Sequence, residues 1–138
     1  MAADTCIFCK IVAGQVPVAK VYEDPVVLAF LDIGPISDGH TLLIPKQHFE
    51  NLHDCPAEIL CGVVSRLGKL AKAVVSAVNA DGYNILSNNG RPAGQVVNHL
   101  HFHIIPRRAH DGVFDRWPSY KYPSGKIEDI AGKVKANL

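Results

Sequence analysis

The chain has 138 residues, enough for one domain whose core buries roughly two thirds of the unfolded surface. Its 48% hydrophobic and 20% charged content is ordinary for a soluble globular protein, and a net charge of +1 without blocks of like charge excludes a basic field for duplex nucleic acid or a membrane-binding patch. No apolar run approaches the ~18 residues that span a bilayer, and Met1-Ala2-Ala3-Asp4-Thr5 lacks the charged and apolar regions of a secretory signal, so the expected location is the cytoplasm.

In chain order, Asp4 or Thr5 can cap a short helix over Cys6 to Ala13, with Gly14 as its stop. Lys20 to Glu23 and Val26 to Leu31 read as two strands turned at Asp24-Pro25. Thr41 to Ile44 is a third strand, closed by Pro45. From Pro56 to about Val78 the apolar residues Ile59, Leu60, Val63, Val64, Leu67, Leu70, Ala71, Val74, Val75 and Val78 recur at three- and four-residue steps. This predicts one long amphipathic helix with Pro56 in its first turn. Asp81-Gly82 breaks it, and Tyr83 to Leu86 follows as a fourth strand. A turn-rich loop, Asn88 to Gln95, feeds a fifth strand from Asn98 to Pro106. Beyond it the chain reads as loop until Ile127, Ile130, Ala131 and Val134 mark a C-terminal helix. No repeat or linker interrupts residues 1–138, so a single domain is expected. Its class is α+β, a mainly antiparallel sheet with one long and two short helices. No Gly-rich loop of the P-loop or Rossmann type is present.

The fifth strand carries the chemistry. Residues two apart share a strand face, so His99, His101 and His103 line one side while Leu100, Phe102 and Ile104 line the other. An ordinary half-buried strand carries Thr, Ser, Lys or Glu opposite its apolar face; three imidazoles that titrate near neutrality point to binding or reaction. The small residues of Gly94-Gln95-Val96-Val97, just before this strand, let backbone N–H groups cradle a phosphate. A neutral imidazole there can attack phosphorus while a neighbouring imidazolium offsets charge on the phosphoryl oxygens. Asp32, at the end of an apolar strand, is either a turn residue or a carboxylate for two ribose hydroxyls, and His40 begins the next strand beside the same cleft.

Of the four cysteines, Cys55 and Cys61 read as small core residues. Cys6 and Cys9 share one helix face, and with His48 and one strand histidine they make a tetrahedral zinc set; the alternative is a reduced core pair. A third possibility places a catalytic zinc on the histidine strand itself. His53 and His110 have no companions and read as surface residues.

Taken together, His99-Leu100-His101-Phe102-His103-Ile104-Ile105 resembles the His-φ-His-φ-His-φ-φ signature of the histidine-triad nucleotidyl hydrolases and transferases. Ile7-Phe8-Cys9-Lys10-Ile11, Phe30-Leu31-Asp32-Ile33, Gly39 to Lys46 and Gly94-Gln95 stand in that family's order, so the resemblance covers roughly residues 4–107 and leaves 108–138 as an extension. It implies a homodimer that binds a purine nucleoside monophosphate moiety, AMP or GMP. His101 would attack the α-phosphorus to form a covalent nucleotidyl-imidazole, which water then cleaves. His103 and His40 would contact the phosphate, with His99 counted among the catalytic histidines, assisted by Asn88 and the backbone of Gln95, Val96 and Val97. Asp32 would hold the ribose, and Ile7, Phe8, Ile11, Phe30 and Ile33 would line the base pocket. In zinc-bearing members the ligands match Cys6, Cys9, His48 and His99, all four protein-supplied, which implies a structural metal.

One departure concerns Val96, where many members carry Ser or Thr near the phosphate. The activity this implies is hydrolysis of purine nucleoside phosphoramidates. The alternatives are a dinucleoside polyphosphate hydrolase and a nucleotide-binding adaptor with slow turnover. The extension, including Trp117 and Tyr120, matches no pattern.

Overall fold

The computed structural model describes residues 3–114 and 118–138; Met1, Ala2 and Trp117 lie outside the described residues. Five antiparallel strands form one sheet in the order β1-β2-β3-β5-β4, with β1 at Lys20–Glu23, β2 at Val27–Leu31, β3 at Thr41–Pro45, β4 at Gly82–Leu86 and β5 at Phe102–Arg107. The first turn forms as its residues dictate: Asp24 Oδ1 accepts from the backbone N–H of Val26 and Val27.

Both faces of the sheet are covered at its centre, because every residue of β3 and all of β2 except Leu31 are buried. Val27, Ala29, Leu43, Phe102 and Ile104 pack against Val63, Leu70, Ala71 and Val74 of the helical layer. Leu28, Phe30, Leu42 and Ile44 pack on the opposite face against Cys6, Phe8 and Ile11. Strand alternation thus splits each central strand between two cores, and the second of these adjoins the histidines.

The helices differ from the sequence expectation in number. Helix α1 is Ile7–Val12, with Cys6 rather than Asp4 or Thr5 as its N-cap; Asp4 and Thr5 lie in a preceding 3-10 turn over Ala3–Thr5. It ends as expected at Gly14, whose φ of +75° lets Gln15 N–H reach Lys10 O and Gly14 N–H reach Ile11 O.

The single long helix is in fact two, α2 at Ala57–Val64 and α3 at Leu67–Val78, with Pro56 as the N-cap of α2 rather than inside its first turn. The break has a local cause. The Ser65 hydroxyl and the Arg66 guanidinium both hydrogen-bond Gly62 O, while Arg66 N–H turns to Val63 O in a 3-10 pattern. With α4 at Lys126–Ala136, four α-helices stand among the described residues instead of three. Cys55 is buried as expected, but Cys61 is exposed, because it lies two residues from the core-facing Val63 and so on the far side of α2.

The histidine strand is also shorter than expected. Regular pairing begins at Phe102, not Asn98, since the facing strand β3 ends at Pro45, which has no N–H to continue the ladder. Leu100 N–H instead donates to Phe49 O at 2.6 Å.

Candidate active site and thiol–imidazole cluster

The three histidines remain on one side of the chain even where the ladder is lost. His101 and His103 rings lie 4.9 Å apart between centroids, and Phe8 of α1 packs edge-on against both His99 and His101. All three are held neutral. Burial is the main cause in each case, pulling His101 below its ordinary value and both His99 and His103 down to about 4.

Tautomers follow from the partners. His101 Nδ1 lies 2.6 Å from His99 O, so it carries the proton and donates, leaving the Nε2 lone pair free. Ile36 N–H donates to His40 Nδ1 at 3.1 Å, which places the proton of neutral His40 on Nε2. That Nε2–H donates to His103 Nδ1 at 2.8 Å, so the proton of His103 is on Nε2. This last N–H is buried and has no partner, a donor held in reserve. His40 is itself kept neutral, by burial first and against the pull of Asp32, whose Oδ2 lies 3.7 Å from Nε2. The backbone leading into His40 needs Gly39: φ is +87°, and a Cβ there would meet Val78 Cγ1 at 2.8 Å.

A cleft of about 430 Å³ opens over His101 and His103. The expected base-pocket residues Ile7, Phe8, Ile11, Phe30 and Ile33 all line it, as do Asp32, Val96 and Val97. Ile33 is 98% exposed, an apolar side chain with nothing yet packed on it. Val16, Pro17, Val18, Leu31, Leu42 and Gly94 also line the cleft and were not anticipated, although the apolar Val16-Pro17-Val18 run after α1 was a usable signal.

Four expected residues, His99, His40, Asn88 and Gln95, do not line the cleft, and the fully buried His99 ring turns instead to the cysteines beneath α1. His40 is buried behind His103, so its expected contact with phosphate becomes an action through that neighbour. Asn88 gives its amide to Gly94 O. The Gln95 side chain is spent on the loop itself: Oε1 accepts from Gly90 N–H at 2.8 Å, and Nε2 donates to Glu50 O at 2.7 Å and Val97 O at 3.2 Å. His53 and His110 are exposed, as the sequence predicts.

Beneath the N-terminal helix, Cys6, Cys9, His48 and His99 converge, with one ligand atom of each within 4.8 Å of all the others. His99 Nε2 donates to Pro45 O at 2.8 Å, which turns the Nδ1 lone pair into the cluster. Sγ of Cys6 and Cys9 lie 3.5 and 3.6 Å from His99 Nδ1, Cys9 Sγ lies 3.3 Å from His48 Nδ1, and the two Nδ1 atoms are 3.2 Å apart. A tetrahedral zinc with bonds of about 2.3 Å to sulfur and about 2.0–2.1 Å to nitrogen sets these edges near 3.5 and 3.3 Å. The donor set therefore fits such an ion. Burial, aided by Cys6 alongside, pushes the Cys9 thiol up to about 11. Asp32, His40 and His103 form a second gathering, but the His40 Nε2 proton already occupies the space between the two imidazoles. A catalytic ion on the triad is not favoured.

Comparison with known proteins bears on both sites. Residues 13–110 match the HIT domain family. A HIT-like protein of Methanocaldococcus jannaschii is 53% identical over 94% of this chain and 98% of its own length. An adenosine 5'-monophosphoramidase of Schizosaccharomyces pombe is 43% identical over 95% of this chain and 99% of its own. Among solved structures, a HIT family protein from Bacillus subtilis superposes with a TM-score of 0.90 at 43% identity, covering 97% of each chain. A zinc-bound histidine triad protein from Mycobacterium smegmatis superposes with a TM-score of 0.77 at 37% identity, covering 99% of this chain and 100% of that one. On its sequence, its antiparallel α+β fold and its three aligned histidines, the chain belongs to the HIT family.

Proposed function

We propose that this chain hydrolyses purine nucleoside phosphoramidates through a covalent nucleotidyl-histidine at His101. The observation that carries this reading is the tautomer of His101: Nδ1–H is fixed on His99 O, and the buried, neutral ring offers its Nε2 lone pair beside a cleft of nucleoside size. Nε2 attacks the α-phosphorus, the phosphorus–nitrogen bond breaks, and the amine leaves with the bonding pair and a proton from water. The substituted ring is then cationic, and the His99 carbonyl oxygen stabilises it through the same Nδ1–H. The hydroxide left by that proton transfer next attacks phosphorus, returns the bonding pair to Nε2 and releases the nucleoside monophosphate. The unpartnered Nε2–H of His103 stabilises charge on the phosphoryl oxygens. Asp32 takes the ribose hydroxyls and the apolar walls take the base.

The phosphoramidase named above supports nitrogen as the leaving atom. Electrostatics support it against a dinucleoside polyphosphate: no Lys or Arg is among the described residues lining the cleft, which holds Asp32 and neutral imidazoles. A leaving group with several negative charges gains no counter-charge there. The test is to quench a reacting mixture in alkali and map the adduct. A nucleoside monophosphate on the His101 peptide is expected, with His101→Ala losing several orders of magnitude in turnover yet still binding nucleotide. An adduct on another residue overturns the assignment. A burst of labelling without appreciable steady-state turnover identifies an adaptor instead.

The same reading makes residues 1–138 a single cytoplasmic HIT-like domain that does not bind duplex nucleic acid. No described helix is long and apolar enough to cross a membrane. Zinc, when bound by Cys6, Cys9, His48 and His99, ties α1 to the segment after β3 and to the approach to β5 as a structural ion. A homodimer has the free edge of β4 available, with Tyr83 and Ile85 exposed along it.

A further inference from the structure

We propose that Val96 selects the leaving group, favouring amines with an apolar substituent, aryl or alkyl, over amines with an anionic one. This rests on the phosphoramidate reading above. Val96 is 89% exposed, yet it lines the same cleft as His101 and His103. A lone exposed valine ordinarily needs no explanation. This one is held in place. Gly94 before it sits at φ +92°, where a Cβ would meet Asn88 Nδ2 at 3.3 Å, and the buried Gln95 side chain clamps the loop to Gly90, Glu50 and Val97. Val97 turns inward and packs against the α1 core, so the next side chain back is presented outward.

The strand order places it relative to the reaction. The base walls come from α1 and from β2 and its end, His101 and His103 lie at the start of β5, and the loop carrying Val96 descends from β4 on the other side of β5. A nucleotide with its base over β2 and its phosphorus at His101 therefore directs its fourth substituent towards the loop and solvent. Of the polar side chains near Val96, the Asn88 amide goes to Gly94 O and the Gln95 amide is held within the loop, while the exposed Arg91 and Asn98 do not line the cleft. What the cleft side of the lip offers a leaving group is an isopropyl surface, with no Lys or Arg among the described residues that line it. An apolar amine covers that surface, and an anionic one loses hydration against it without compensation.

The experiment compares three adenosine 5'-phosphoramidates: the unsubstituted amide, an N-benzyl amide and an N-carboxyalkyl amide, the last two matched in amine basicity. Steady-state kcat/KM and single-turnover labelling of His101 are measured for the wild type, Val96→Ser and Val96→Asp. The wild type is expected to prefer benzyl to carboxyalkyl by about tenfold, and Val96→Ser to lower the benzyl-to-unsubstituted ratio by about fivefold, less than an enclosed pocket gives because the lip is open. Val96→Asp lowers it further. Ratios that stay within twofold of wild type in both variants, with His101 labelled normally, overturn the role of Val96 alone. No labelling of His101 by any of the three substrates overturns the phosphoramidate reading with it.

Discussion

Replacing His40 by alanine tests whether a residue that never lines the cleft governs the chemistry within it. His40 takes the Ile36 N–H on Nδ1 and gives its Nε2–H to His103 Nδ1 at 2.8 Å, and this alone forces the His103 proton onto Nε2. In His40→Ala the Nδ1 atom of His103 loses its donor in a half-buried site, and an orphaned buried acceptor costs about 1–3 kcal/mol of stability. The catalytic effect is separate. Once free to carry its proton on Nδ1, His103 no longer presents a donor to the phosphoryl oxygens. A hydrogen bond to a charged group is worth about 1.5–3 kcal/mol, which is about ten- to 150-fold in kcat/KM. Because charge develops in the transition state, kcat is expected to fall more than KM rises. The assay is hydrolysis of adenosine 5'-phosphoramidate, with nitrogen NMR of the His103 ring as an independent readout. Wild type should show Nε2 protonated at pH 7.5, and His40→Ala should show the proton redistributed. A wild-type His103 protonated on Nδ1, or a His40→Ala enzyme within threefold of wild type in kcat/KM, refutes the reasoning.

Asp32→Ala should weaken ribonucleotide binding about ten- to a hundredfold, and a 2'-deoxy ligand should lose a similar factor on wild type; equal affinities by calorimetry would reduce Asp32 to the turn residue that holds Gly34 N–H. Protein purified without added metal should contain about one zinc per chain by elemental analysis. The Cys6→Ser, Cys9→Ser double variant should lose it with a lower Tm, whereas a metal-free wild type whose Tm ignores chelator counts against the site. Acid should destabilise the fold through His103. Its folded pKa of about 4 lies below the ordinary 6.5, so its contribution is complete above pH 6.5 and disappears as pH falls from 6.5 towards 4. The size is on the order of 3 kcal/mol, and His103→Asn should flatten that part of the urea-unfolding profile.

Alternation made the sheet legible. A period of two in His99 to Ile105 and apolar runs at Val27 to Leu31 and Thr41 to Ile44 fixed which side chains share a face, and the two cores divide along those lines. The helix break at Ser65-Arg66 was illegible for a physical reason. The apolar period runs straight through it, and only the competition of two side chains for one carbonyl, Gly62 O, interrupts the ladder. The start of the triad strand depended on a residue in another strand, Pro45, so no local pattern could mark it. Residue type identified the site's histidines and cysteines. Their division of labour rests on backbone partners far apart in sequence, such as Pro45 O for His99 and Ile36 N–H for His40. Gln95 shows the opposite limit: a polar side chain beside a reactive loop invites a ligand role, but three hydrogen bonds consume it as scaffold.

His99 divides its two halves between two sites. Its ring belongs to the thiol–imidazole cluster, while its carbonyl oxygen holds the Nδ1 proton of His101. Any amino acid supplies that oxygen, so the side chain is free to change without altering which nitrogen of His101 is available. A descendant of this chain can therefore shed its ring of metal-binding groups, through Cys6, Cys9 and His99 alike, and still keep a correctly poised nucleophile, provided the backbone before β5 stays held by the Leu100 N–H bond to Phe49 O, which needs no side chain at position 99. The two chemistries touch at one residue and are inherited separately.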